Sequence, residues 1–172
     1  MHKDELSYIF DSTVEKFVKQ WRKYFKLSVK DKFSLDLSKK KLAMNIAIIK
    51  EELEELEKAI QEKDTKEVLD AIGDFEFTKW QLYSDLGVNT NLVNKIVKQV
   101  FISNMSKGCR TKEEVEATIK HYNNKGIETI VDNEDPNFML VFQNSGEKEG
   151  KLLKNVIRFE EPDFEKIIKE LN

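Results

Sequence analysis

Between Lys39 and Glu62, Leu42, Ile46, Ile49, Leu53, Leu56 and Ile60 recur at steps of three and four residues. That spacing places all six on one stripe of a helix and excludes a strand of comparable length. Similar stripes surround it. Val14, Phe17, Val18, Trp21, Tyr24 and Phe25 predict a helix from about Asp11 to Leu27, with Asp11 or Ser12 as N-cap. Val68, Ile72, Phe75, Leu82 and Leu86 predict an inward face from about Lys66 to Leu86, capped by Thr65 and stopped by Gly87. Leu92, Val93, Ile96, Val97, Val100 and Phe101 predict a fourth helix over about Asn91–Ser106, ended by Gly108. Thr111 with Glu114 at capping-box spacing opens a fifth, which Gly126 ends.

Beyond that point the texture changes. Phe138–Phe142 and Leu152–Phe159 read as the two strands of a hairpin across the turn-like NSGEKEG, and a short helix follows Pro162. The expected fold is all-α, an antiparallel helical bundle with a small C-terminal β-hairpin. Residues 1–135 are expected to form the helical domain and residues 136–172 the appendage. With 6 Gly and 2 Pro in 172 residues, an all-β sandwich has too few turn formers.

Charge and cysteine content narrow the function classes. The 29 Lys and Arg residues against 32 Asp and Glu give a net charge of -3, so a broadly basic nucleic-acid binder is not expected. A single cysteine, Cys109, excludes an internal disulfide framework and any multi-cysteine metal site. No Glu-x-x-His pair supports a di-iron bundle. The start MHKDELSYIF lacks a basic stretch followed by an apolar run, and no apolar stretch approaches a membrane span. A cytoplasmic protein with no membrane partner is expected.

The acids carry the chemistry. On a helix of about 100° per residue, Glu51, Glu52 and Glu55 fall on an arc shared with Met44, Ile48 and Ala59, opposite the apolar stripe. On the next helix Asp70, Asp74 and Glu67 share an arc with Ala71, Phe77 and Gln81. If the two helices pack antiparallel, these carboxylates meet. Half-buried like charges raise one another's pKa or force the helices apart, and a hard divalent cation with oxygen ligands resolves the conflict. The segment EELEELEKAIQEK is equally what an ordinary solvated helix looks like, with Glu54 and Lys58 as an i,i+4 pair. Among the remaining residues, Phe17 and Trp21 are expected in the core, or as a wall for a base. Trp80 is a candidate interface residue, His2 and His121 surface residues, and Cys109 incidental.

Glu51-Glu52-x-x-Glu55 followed by Glu67-x-x-Asp70 and Asp74 resembles the EExxE…ExxD signature of the all-α nucleoside triphosphate pyrophosphohydrolases. Ser103-Asn104-Met105-Ser106-Lys107 resembles the SNMSK motif of the MazG-like branch of bacteria and phages, and Gly150-Lys151-Leu152-Leu153-Lys154 with Pro162-Asp163 resembles its C-terminal stretch. The three motifs stand in the family's order over roughly Lys39 to Phe164. The resemblance implies Mg²⁺-dependent hydrolysis of an NTP or dNTP to NMP and pyrophosphate, with Mn²⁺ as a substitute, in a homodimer or homotetramer. It implies metal ligation by Glu51, Glu52, Glu55, Asp70 and Asp74, with Glu51 and Glu52 as the catalytic pair. Asn104 and Lys107 would hold the phosphates, and Lys154, on the expected hairpin, is either solvated or a substrate-binding residue that reaches into a neighbouring subunit's site. The sequence departs from many relatives at Ala71, where they carry a Glu. The acid stands instead at Asp70, as in the DAxxD form of the MazG-like branch, and Glu67 is then ligand or bystander. The alternatives are phosphoribosyl-ATP hydrolysis, whose enzymes are usually shorter and lack the second and third motifs, and a non-catalytic helical interaction or regulatory module.

Overall fold

The computed structural model describes residues 13–171. Six helices and two strands follow in the order α1 (Val14–Tyr24), α2 (Lys39–Glu62), α3 (Thr65–Leu86), α4 (Thr90–Met105), α5 (Lys112–Asn123), β1 (Thr129–Asp132), β2 (Leu140–Gln143) and α6 (Glu165–Leu171). The described chain forms two compact units, one running up to Val93 and the other from Asn94 to Glu170. Asp11 and Ser12, the expected N-caps of α1, lie outside the described residues. Thr13 holds the N-cap position, without a side-chain capping bond.

In the first unit α2 and α3 form a hairpin. Ser38 caps α2 through its side chain, which accepts from the Lys41 N–H. Lys63 ends the helix in the left-handed region at φ 57°, and Asp64, not Thr65, caps α3 by accepting from the Lys66 and Glu67 N–H groups. Gly87 closes α3 at φ 70°, where a Cβ would stand 2.0 Å from the Lys32 carbonyl oxygen, so only glycine fits. α1 packs on α3, with the Trp21 ring edge-on to Phe77 at 5.4 Å.

The face that α2 turns toward α3 corrects the sequence expectation. Asn45 and Ala59 are buried on α2, and Ala71, Trp80, Ser84 and Asp85 on α3. The stripe expected inward is covered only in part: Leu42 is 44%, Ile46 38%, Leu53 46% and Ile60 57% exposed, and Ile72 on α3 is 46% exposed, while Ile49 and Leu56 on α2 and Val68, Phe75, Leu82 and Leu86 on α3 are half-buried. The fully covered positions of the hairpin are thus the small residues Ala59 and Ala71, the polar Asn45, Ser84 and Asp85, and the ring of Trp80. Phe17 is also exposed, and Trp80 is part of the core of this unit.

In the second unit Cys109, Val115, Met139, Val141 and Leu153 form the core, with Ile119, Tyr122 and Val131 against it. The hairpin differs from expectation in one strand. β2 falls where the apolar run predicted it, but its partner is β1, in antiparallel register Thr129↔Gln143 through Asp132↔Leu140. Leu152 makes only an isolated bridge to Phe142. The chain turns instead of extending because the Asn155 side-chain carbonyl accepts from the N–H groups of Ile157 and Arg158.

Candidate functional site

The acids of α2 and α3 come together along the hairpin. Burial, then the neighbouring Asp74, Glu55, Glu51 and Asp70 carboxylates, push the Glu52 carboxyl above its ordinary pKa. Asp70 and Asp74 belong to α3 and the others to α2, so carboxylates of both helices bear on Glu52. Glu52 is half-buried; Glu51, Glu55, Asp70 and Asp74 are exposed. None of the five side chains has a hydrogen-bond or ion-pair partner among the described residues. Glu67, by contrast, pairs with Lys66 at 2.7 Å, and Glu57 accepts from Gln61. The expected Glu54–Lys58 pair is not formed among the described ion pairs.

Next to this cluster, toward the α2–α3 turn, lies a groove of about 230 Å³ lined by Glu55, Lys58, Ala59, Glu62, Glu67, Asp70 and Ala71. Among the lining residues the two alanines are buried, and the rest are four carboxylates and the Lys58 ammonium. As the side chains stand, no group of three or more His, Cys, Asp or Glu among the described residues is arranged to hold a metal ion. The five acids carry oxygen donors only, and all but Glu52 are exposed.

No family model and no curated protein matches the chain.

The other residues singled out by sequence lie in the second unit. Asn104 is exposed and Lys107 half-buried at the C-terminal end of α4, and neither side chain has a partner among the described residues. Lys154 is engaged locally: its ammonium lies 2.8 Å from Glu161 and 4.1 Å from the Phe159 ring centroid. Among the described residues no helix is long and apolar enough to cross a membrane.

Two buried polar networks escaped the sequence reading. In the first unit Asp85 receives Arg22, Lys41 at 2.7 Å and the Asn45 amide at 2.9 Å. Burial would raise the Asp85 pKa, but these partners outweigh it and hold the carboxyl below its ordinary value. In the second unit Glu114 accepts from Arg158, the Arg110 N–H and Asn155. The Arg158 bond, with these amide donors, pulls its carboxyl down to about 2. A signal for the first network was present: Arg22 follows Val18 by four residues on the apolar face of α1, where a charge demands a partner.

Proposed function

We propose that the protein is a Mg²⁺-dependent nucleoside triphosphate pyrophosphohydrolase, converting (d)NTP to (d)NMP and pyrophosphate. The observation that supports this reading is the convergence of unpaired α2 and α3 carboxylates on Glu52. The motif resemblance to the MazG-like branch supplies the reaction class. Glu51, Glu52, Glu55, Asp70 and Asp74 would hold the cation, their hard oxygen donors suiting magnesium. A magnesium ion bound there would offset the charge that repels a polyphosphate and make a bound water more acidic. Glu51 would be a further ligand or would orient the attacking water, next to Glu52 in the set that would hold the cation. Asn104, Lys107 and Lys154 are assigned to the phosphates, Lys107 as cation and Asn104 as amide donor.

The test is a screen of the full chain against the common NTPs and dNTPs, with pyrophosphate detected in the presence and absence of Mg²⁺. Metal-dependent release from at least one substrate is expected. No release from any of them, with Mg²⁺ or Mn²⁺, overturns the reading.

The same proposal includes a homodimer or homotetramer. Leu42, Ile46, Leu53 and Ile60 form an exposed stripe at the spacing that helices use to pack side by side, and water is a poor partner for it. Light scattering on the eluting protein is expected to give twice or four times the 20.2 kDa chain mass, and Leu53→Glu with Ile60→Glu to give monomers. A monomeric wild type at tens of micromolar would rule the assembly out.

A further inference from the structure

The segment from Ser103 to Arg110 is fixed from both sides. Upstream, the Ser103 hydroxyl donates to the Glu160 carbonyl at 2.8 Å, and the Glu160 N–H donates to the Ser106 hydroxyl at 3.0 Å. The Ser106 hydroxyl in turn donates to the Ser103 carbonyl at 2.7 Å. Downstream, the fully buried Asn155 amide donates to the Gly108 carbonyl at 3.1 Å and to Glu114 at 2.9 Å. Glu114 takes the Arg110 N–H at 2.7 Å, and Cys109 exchanges both backbone bonds with Met139 at 2.8 Å. Gly108 admits the Phe138 ring, which a Cβ would meet at 2.3 Å. Within this pinned stretch, Asn104 and Lys107 are left without side-chain partners among the described residues, one helical turn apart.

We infer that Asn155 and Ser106 are positioning residues that set the backbone from which Asn104 and Lys107 address the phosphates of a polyphosphate ligand. The inference rests on the assignment of Asn104 and Lys107 made above. The arrangement is that of a ligand-facing pair whose aim is fixed by hydrogen bonds behind it. Asn155 contributes through both ends of its side chain: its amide holds the Gly108 carbonyl, and its carbonyl oxygen turns residues 157–158. Ser106 joins the last turn of α4 to Glu160. Neither needs to touch the ligand to influence its affinity.

The experiment is a double-mutant cycle on the full chain, with inorganic tripolyphosphate titrated in the presence of Mg²⁺ by calorimetry. Lys107→Ala is expected to weaken binding roughly tenfold, Asn155→Ala roughly tenfold and Ser106→Ala about threefold. In the Lys107→Ala background each of the other changes is expected to cost less than in the wild type, only the part that acts through Asn104 remaining, a coupling that independent effects on the fold would not produce. Circular dichroism identifies variants that fail to fold; if Asn155→Ala is one, Ser106→Ala alone decides. Additive losses, or wild-type affinity in folded Asn155→Ala and Ser106→Ala beside a weakened Lys107→Ala, overturn the positioning role alone. Wild-type affinity in Lys107→Ala, or no binding by the wild type, overturns the phosphate assignment and this inference with it.

Discussion

Glu52→Gln is expected to lower pyrophosphate release by a factor of about 10² or more, because it takes a charged oxygen ligand from the cation that would activate the water, while the helices stay folded. Asp74→Asn should do the same, because Asp74 is assigned to the same cation from the neighbouring helix. Stability separates this outcome from simple damage. A carboxyl whose folded pKa is raised favours folding most at low pH, and that advantage fades as pH rises through the raised value. At neutral pH the ionised Glu52 is therefore a small burden on the metal-free protein. Neutralising it should leave the thermal midpoint unchanged or slightly higher. The wild type should gain stability on adding Mg²⁺, since a ligand that binds only the folded state shifts the equilibrium toward it. Both variants should lose most of that gain. Wild-type turnover in both, or an equal response to Mg²⁺, would remove the α2 and α3 acids from any catalytic role.

Local signals carried the helix ends. The bounds of α2 follow from a stripe that begins after Ser38 and breaks at Lys63, and Gly87 and Thr111 act where their chemistry places them. The acids were legible for the same reason: residues at i, i+3 and i+4 share a face whatever packs against it. Which face meets which helix is not a local property. Ala59 and Ala71 are buried where the pattern marked no core, and Leu42, Ile46, Leu53 and Ile60 of the aliphatic stripe stand exposed in the single chain while Ile49 and Leu56 are half-buried. β1 was missed although Thr129, Ile130 and Val131 are three β-branched residues in a row before Asp135-Pro136, a strand signal with a turn after it. The second predicted strand failed at Asn155, whose side chain offers the backbone a turn at the point where the apolar pattern continues.

The Arg22–Asp85 pair was the least legible feature, because its members stand 63 residues apart, and it carries the largest stability prediction. Arg22 is buried, and its guanidinium also donates to the Ser28 and Gln81 carbonyls, so α1, the segment after it and α3 converge on one cation. Lys41 and Asn45 bring α2 to the same carboxylate. Asp85→Ala leaves a buried guanidinium without its counter-charge, which costs about 3–5 kcal/mol. A small domain has about 5–15 kcal/mol in total. Urea unfolding followed by tryptophan fluorescence should show the loss, since Trp21 and Trp80 both lie in this unit. Adding Arg22→Met to Asp85→Ala should recover part of it, because an apolar side chain needs no counter-charge. Acid sensitivity follows from the sign of the shift. Asp85 is held below its ordinary pKa of 3.8, so its contribution is complete above that value and disappears as pH falls through the lowered one. The wild type should therefore lose more stability than Asp85→Ala between neutral pH and strong acid. Equal urea midpoints for the two proteins at neutral pH would mean that the buried pair does not fasten these helices.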